Sequence, residues 1–169
     1  GDVVHHALAG AVTDDAALAR KVRMLADHGR ERKFDHEFEG MSSRLDALQA
    51  AILTAKLPHL GFWNYRRYLG ALTYEVNLQH QADIMLPDIP ADRKNHVFHC
   101  YVVRLKDRDR VRARLAEKGI ETGLHYPVAL PFATAYARFG YKPTDFPEAF
   151  AFMQECLSLP LYPELSGDK

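Results

Sequence analysis

The sequence predicts an α/β fold in which a sheet of few strands is covered by helices. Residues 96–105 are apolar on both alternating faces, which is typical of a strand buried on both sides. A helical pattern follows, and residues 120–124 then form a second short apolar segment. Because further helical patterns lie before and after this strand–helix–strand unit, the order indicates an α/β layer.

The first helix should begin after Thr13-Asp14-Asp15, which offers capping oxygens and negative charge to a helix N-terminus. We expect it to end near Gly29, a residue that readily closes helices. Its apolar stripe consists of Leu18, Val22 and Leu25.

A loop and a second helix should follow. Residues 30–40 are charged and aromatic without a clean period, which predicts a loop. Ser43 and Asp46 have the spacing of a capping box, with Ser43 as the capping residue. Pro58 should end or kink the helix that they open, because proline lacks an amide donor and disfavours helical geometry at the residue before it. The buried stripe of this helix is predicted to be Leu45, Leu48 and Ile52.

The third helix is predicted to be long, with a solvated basic face around Arg66 and Arg67. After a proline-containing loop and the strand at 96–105, Asp107 or Asp109 should cap a further helix that Gly119 closes. Two more short helices are expected over residues 133–139 and 147–157.

Composition and charge exclude several function classes. The chain has 169 residues, 47% of them hydrophobic, and its 22 basic and 22 acidic side chains give a net charge of zero. This balance offers no electrostatic footprint for nucleic acid, and no apolar run reaches the ~20 residues that span a bilayer. Cys100 and Cys156 lie far apart, which favours reduced thiols in the cytoplasm, although a single disulfide stays open.

Most catalytic motifs are absent from the sequence. The nine histidines include the pairs His5-His6 and His96/His99, but neither spacing matches a metal site, so we expect no metal. The sequence contains no GxGxxG, P-loop or GxSxG motif.

One loop has chemical potential, the run Gly123-Leu124-His125-Tyr126-Pro127 at the end of a predicted strand. Polar groups just beyond such a strand often line a ligand crevice, and His125 with Tyr126 offers a titratable ring and a hydroxyl. On these residues alone, the favoured interpretation is that His125 packs at a strand-to-loop corner.

Several motifs in one order resemble the DegT/DnrJ/EryC1/StrS aminotransferases. The resemblance extends from about residue 11 to about residue 165. Its residues are Ala11-Val12-Thr13-Asp14-Asp15, His28-Gly29, Lys33-Phe34-Asp35-His36, Gly40, Ser43-Arg44-Leu45-Asp46, Leu48-Gln49-Ala50-Ala51-Ile52-Leu53, Phe98-His99-Cys100-Tyr101-Val102-Val103-Arg104, Ala116-Glu117-Lys118-Gly119-Ile120, Gly123-Leu124-His125-Tyr126-Pro127, Tyr136, Gly140-Tyr141 and Leu157-Ser158-Leu159-Pro160.

The resemblance implies the C-terminal half of a fold-type-I enzyme dependent on pyridoxal 5'-phosphate, including its small domain and a long interdomain helix. Typical members are homodimers that transfer an amino group from glutamate to a nucleotide-linked keto sugar. By this resemblance, Ser42 stands where the family has an asparagine that reaches the cofactor phosphate of the partner subunit. His125 and Tyr126 stand in the substrate loop.

The resemblance also implies what this chain lacks. The family lysine that forms the internal aldimine precedes the first matched helix, whereas the first lysine here, Lys21, lies inside that helix. We therefore expect no catalytic lysine, and no binding of the cofactor or transamination by this chain alone. Pro131 and Ala133 replace a histidine and a glutamine of the family loop.

The resemblance divides the chain into three parts. Residues 1–12 are expected to be an edge of the large cofactor-binding domain, 13–57 helices and a loop at the domain and dimer interface, and 58–169 the long helix with the small α/β domain. An alternative is a non-catalytic remnant that acts as a dimerisation or interaction module. A third reading, a small-molecule-binding regulatory domain, rests on the strand–helix–strand pattern alone.

Overall fold

The computed structural model describes residues 13–165, which divide into two compact units, one through Pro58 and one from His59. Residues 1–12, including the pair His5-His6, lie outside the described residues. Each unit is described in turn.

The first unit contains two helices and a two-stranded hairpin. Its elements are α1 (Ala16–Ala26), β1 (Arg30–Arg32), β2 (Asp35–His36) and α2 (Ala47–Lys56). The carboxylate of Asp15 caps α1 by accepting hydrogen bonds from the backbone N–H groups of Ala17 and Leu18, at 2.9 and 3.0 Å. The predicted start of this helix is therefore confirmed.

The loop predicted for residues 30–40 is wrong, because β1 and β2 pair there as an antiparallel hairpin. The strands are formed by charged residues without an apolar alternation, so the pattern could not reveal them. Gly29, at φ +71°, lies at the entry to this hairpin, and a Cβ there would approach the Phe38 carbonyl oxygen to 1.7 Å. Only glycine permits this crossing.

The cap of α2 is Asp46, not Ser43 as the capping-box spacing predicts. Asp46 directly precedes Ala47, and its carboxylate accepts the N–H of Gln49 at 2.8 Å. Ser43 instead donates its backbone N–H to Ala26, at 2.9 Å, which holds it in the preceding loop. The predicted buried stripe is also wrong, since Leu45, Leu48 and Ile52 are all more than half exposed.

The second unit begins within a short 3₁₀ turn, Leu57–His59, which contains Pro58 and separates α2 from the next helix, as predicted. Its main elements are α3 (Leu60–Leu78), β3 (Tyr101–Arg104), α4 (Arg108–Glu117), α5 (Pro147–Glu155) and β4 (Cys156–Leu159). Shorter 3₁₀ turns occupy Arg93–Asn95, Leu130–Phe132 and Thr134–Phe139.

The sheet of this unit has β3 and β4 at its centre, paired antiparallel with Val102 opposite Ser158. Met85 forms a bridge to Arg104 on the outer edge of β3, and Gly123 forms one to Ser158 on the outer edge of β4. The order across the sheet is therefore Met85, β3, β4, Gly123.

Two strand predictions need correction. The strand predicted over 96–105 is confined to Tyr101–Arg104, and the strand predicted over 120–124 is reduced to the bridge at Gly123. The helix predicted over 147–157 ends at Glu155, and β4 begins at once with Cys156. No glycine or proline marks that junction, so it carries no turn signal.

A single apolar core holds the second unit together, and α3, β3 and β4 contribute to it. Tyr101 is fully buried and stacks on Tyr74 of α3 with ring centroids 4.9 Å apart. Tyr74 in turn donates its hydroxyl to the carbonyl oxygen of Pro160, at 2.8 Å. The buried members of this core are Ala71, Phe98, Tyr101, Val103, Leu105 and Leu157.

Two further predictions concern helices of this unit. The close of α4 is confirmed, because Gly119 takes φ +75° and the Ile120 N–H donates to the Leu115 carbonyl oxygen at 2.9 Å. The solvated basic face of α3 is wrong in part. Arg66 is half-buried, and its Nε donates to the carbonyl oxygen of Pro163 at 3.0 Å.

Candidate functional site

The structure places His125 and Tyr126 directly after the sheet bridge between Gly123 and Ser158. The backbone groups of these two bridge residues exchange hydrogen bonds in both directions, at 3.0 and 2.8 Å. The side chain of His125 folds back over the bridge, and its Nδ1 lies 2.8 Å from the Ser158 hydroxyl oxygen. His125 therefore packs where the bridged segment ends and the loop begins, as predicted.

The absence of a side chain at Gly123 leaves room for the imidazole of His125. A Cβ at this position would lie 2.8 Å from Cε1 and 3.3 Å from Nδ1 of His125. Such a contact is closer than carbon atoms tolerate, so any larger residue at 123 displaces the ring from Ser158.

His125 and Tyr126 open onto a cavity of about 820 Å³ in the second unit. Its wall is predominantly apolar, with a few polar groups, which is the usual composition of a small-molecule site. Tyr126 is 71% exposed there, so its hydroxyl is accessible to a ligand. The lining residues from α5 are Glu148, Ala149, Phe152 and Met153.

One side of the cavity carries an anchored cation. Arg104 at the end of β3 pairs with Glu155 through Nε and Nη2, at 3.0 and 2.8 Å. Its guanidinium carbon also lies 5.8 Å from the centre of the Phe152 ring. Because Glu155 compensates its charge, Arg104 is a hydrogen-bond donor of fixed orientation rather than an isolated positive charge.

Ser42 belongs to the first unit, whereas His125 and Tyr126 belong to the second. It forms an isolated bridge with Asp27, and its side chain is exposed. Neighbouring backbone hydrogen bonds, such as Met41 N–H to Leu25 at 2.8 Å, fix this loop. The hydrogen bond from Arg30 is the main cause that lowers the pKa of Asp27, so the residue that is bridged to Ser42 carries an ionised carboxylate.

Ser158, Arg104 and Phe152 are site residues that sequence reasoning missed. Ser158 belongs to the motif Leu157-Ser158-Leu159-Pro160, so it was noticed without a role. Because a buried serine on an apolar strand needs a hydrogen-bond partner, Ser158 could have been recognised as the partner of a nearby polar side chain. Arg104 ends the strand motif at 98–104 of the resemblance but was given no role there, and its contact with Phe152 depends on how β3 and α5 pack.

The residues of this cavity do not fit covalent attachment of pyridoxal phosphate. Attachment needs a lysine amine, and none of the residues that line the cavity is a lysine. Lys21 lies exposed within α1, in the other unit.

The described residues offer neither a metal-binding cluster nor a membrane-spanning helix. Over residues 13–165, no three His, Cys, Asp or Glu side chains are grouped as a metal ion requires. No helix in the same stretch combines the length and apolar character needed to cross a membrane. Cys100 and Cys156 are free thiols.

Relatives of the chain include transaminases that act on nucleotide-linked sugars. Over 157 residues it is 40% identical to the erythromycin biosynthesis sensory transduction protein EryC1 of Saccharopolyspora erythraea, covering 93% of this chain and 43% of that one. It is also 40% identical to the dTDP-3-amino-3,4,6-trideoxy-alpha-D-glucose transaminase of Streptomyces venezuelae, covering 91% of this chain and 40% of the relative.

Solved structures give the same result. DesV of S. venezuelae in complex with a ketimine intermediate superposes with a TM-score of 0.86 at 39% identity, over 93% of this chain and 42% of that one. A DegT DnrJ EryC1 StrS aminotransferase from Brucella abortus superposes with a TM-score of 0.82 at 32% identity, over 92% and 41%. The predicted fold class is confirmed.

The matches cover nearly all of this chain but only part of each relative. The chain spans well under half the length of the relatives it matches, and it corresponds to their C-terminal part. The family match itself covers residues 8–169. The chain therefore belongs to the DegT/DnrJ/EryC1/StrS aminotransferase family.

Proposed function

We propose that this chain is the C-terminal part of a pyridoxal-phosphate-dependent aminotransferase that acts on a nucleotide-linked keto sugar with glutamate as amino donor. The observation that carries the proposal is the family match over residues 8–169. The cavity next to His125 and Tyr126 supports it, because an apolar wall with a few fixed polar groups suits a sugar ring.

His125 and Tyr126 are the proposed substrate-binding residues. An imidazole N–H and a phenol O–H can each donate to the oxygens of a sugar. The pyridoxal cofactor, when bound by the complete enzyme, supplies an electron sink for the reaction. The part of this chain is to bind and orient the sugar and to exclude water with the side chains of Phe152 and Met153.

Ser42 is the proposed contact to the cofactor phosphate of the partner subunit in a homodimer. Its exposed hydroxyl offers one donor on a loop that backbone hydrogen bonds hold in place. We propose in addition that the enzyme works in the cytoplasm. The division of the chain into parts 1–12, 13–57 and 58–169 belongs to the same proposal.

We also propose that the isolated chain does not attach the cofactor. The test is incubation with pyridoxal phosphate, reduction with borohydride and mapping of modified lysines by mass spectrometry. Reduction products scattered at low yield over surface lysines are expected, whereas stoichiometric labelling of one lysine overturns this part of the proposal.

The main test is a chimera in which residues 13–165 replace the matching part of the S. venezuelae transaminase. We expect transamination of that enzyme's sugar substrate with glutamate. His125→Gln in the chimera should lower kcat/KM about tenfold, since one substrate hydrogen bond contributes about 1–1.5 kcal/mol.

The alternative function, a dimerisation or interaction module without catalysis, gives a different result. A chimera that folds and dimerises but does not transaminate supports the module and contradicts the enzyme. The parent transaminase, prepared and assayed in parallel, is the positive control.

A further inference from the structure

Ser158 is a buried hydroxyl whose surroundings restrict it to one hydrogen-bond partner. It is 5% exposed on β4, between apolar neighbours. Its backbone N–H and carbonyl are both used in the bridge to Gly123. Within the part of the chain that the structure describes, its hydroxyl is hydrogen-bonded to Nδ1 of His125 alone, at 2.8 Å.

This restriction decides which atom carries the proton. A buried hydroxyl hydrogen needs an acceptor, and leaving it unsatisfied costs about 1–3 kcal/mol. Nδ1 of His125 is the acceptor within reach, so the hydroxyl donates and Nδ1 is unprotonated. In the neutral imidazole the ring proton then resides on Nε2.

Gly123 restricts the same ring from another side. The ring atoms Cε1 and Nδ1 lie so close to Gly123 that a Cβ there would stand 2.8 and 3.3 Å away. The ring of His125 therefore packs against the backbone of Gly123, while its Nδ1 accepts a hydrogen bond from the Ser158 hydroxyl of β4. These two contacts fix its orientation with Nδ1 turned away from any ligand.

We propose that Ser158 is a positioning residue, which holds His125 as the Nε2–H tautomer so that His125 donates a hydrogen bond to an oxygen acceptor of the bound sugar. This inference rests on the proposed function, because it takes the sugar as the ligand of the cavity. His125 makes the contact with the ligand, and Ser158 acts through His125.

The test measures the ring directly, by long-range ¹H–¹⁵N spectra of the 169-residue chain labelled with ¹⁵N-histidine, at a pH where imidazoles are neutral. His125→Gln identifies the His125 signals among the nine histidines. We expect a protonated Nε2 and an unprotonated, hydrogen-bonded Nδ1. A nuclear Overhauser contact between the Cε1 proton of His125 and the α-protons of Gly123 should accompany it.

Two variants separate positioning from general packing. Ser158→Ala should shift the Nδ1 resonance to that of a free acceptor and abolish the contact with Gly123. Ser158→Thr retains the hydroxyl and should retain both signals. Circular dichroism establishes that each variant is folded.

Three results overturn the proposal: a protonated Nδ1 in the wild-type chain, unchanged ring signals in folded Ser158→Ala, or loss of the ring signals in folded Ser158→Thr. The wild-type spectrum decides the position of the proton even if a variant does not fold. These measurements need no transamination, so failure of the chimera to react leaves their outcome unaffected and is recognised separately.

Discussion

The two units of the molecule differ in how they bury apolar side chains. The second unit has a core of six buried residues, with Tyr101 and Leu157 fully enclosed. In the first unit, Met24 is the buried large apolar side chain among residues 13–58, and Leu48 of α2 is 72% exposed. Backbone hydrogen bonds and capping, rather than a core, hold the first unit in shape.

This difference shows which unit carries its own stability. Burial of apolar area is the main favourable contribution to folding, and hydrogen bonds add only about 0.5–1.5 kcal/mol each. The apolar core of the second unit should therefore be sufficient to keep that unit folded. The first unit should open at a much lower free energy.

The largest expected effect comes from the same substitution made in each unit. Leu157→Ala should lower the free energy of unfolding by about 2–5 kcal/mol, because it opens a cavity in the core. Leu48→Ala should change it by less than about 0.5 kcal/mol, since the side chain is exposed. Denaturant titration followed by Trp63, the single tryptophan, measures the change in the second unit, and amide hydrogen exchange of α2 measures it in the first. Equal shifts would mean that Leu48 is buried as Leu157 is.

A glycine pair gives the next largest effect. Gly40→Ala places a Cβ 2.1 Å from the backbone nitrogen of Gly29, so it should open the loop crossing of the first unit at a cost of about 1–3 kcal/mol. Gly61→Ala in α3 meets no atom within 4 Å and should stabilise the second unit by up to about 1 kcal/mol. Amide hydrogen exchange measures both; unchanged exchange around residues 28–41 in Gly40→Ala would refute the crossing.

A tyrosine pair tests the core at the level of one hydrogen bond. Tyr74→Phe removes the bond to Pro160 and should cost about 1 kcal/mol. Tyr101→Phe should be neutral or stabilising, because the Tyr101 hydroxyl is buried and makes no hydrogen bond within the described residues. Thermal unfolding of the two variants gives the comparison, and a larger loss for Tyr101→Phe contradicts it.

Alkali should act on the same tyrosine. Burial raises the pKa of Tyr101 to about 12. The folded state therefore keeps a proton that the unfolded chain loses near pH 10. The stability from Tyr101 is complete below pH ~10 and is lost as the pH rises towards ~12. Tyrosinate absorbance during alkaline unfolding should lose this late component in Tyr101→Phe.

Acid should act on the first unit, with the smallest effect. Hydrogen bonds from Arg30 and Arg20 lower the pKa values of Asp27 and Glu31, respectively. Their contribution is therefore present above the unfolded pKa values near ~4 and is lost as the pH falls through the folded values. The Arg20–Glu31 pair is exposed and the Arg30–Asp27 pair is partly exposed, so salt should weaken the effect. Hydrogen exchange of residues 27–36 that is insensitive to acid and salt would contradict this reading.

Local chemistry made some of this fold predictable. Asp15, Pro58 and Gly119 each act through the few residues around them, so their positions in the sequence sufficed to place the start of α1, the end of α2 and the close of α4. The hairpin at 30–36 was missed because its pairing uses backbone groups and no apolar alternation.

The candidate site was predictable only in part. His125 and Tyr126 stand out as polar groups beyond an apolar segment, and the family resemblance supported them. Ser158 reaches His125 across 33 positions of sequence, and that contact depends on the bridge at Gly123, which no periodicity encodes. The stripe of α2 failed for a related reason, since an apolar pattern shows what a helix could bury and not whether a partner is present.

The direct junction of α5 with β4 has a mechanical consequence. Phe152 and Met153 form part of the cavity wall, and Ser158 lies on the strand that starts where their helix stops, without a hinge between them. The Glu155 carbonyl, bound to the Leu105 N–H at 3.1 Å, ties that junction to the sheet. Because the helix that lines the cavity continues directly into the strand that holds Ser158, we expect a displacement of α5 to move the Ser158 hydroxyl beside His125 as well.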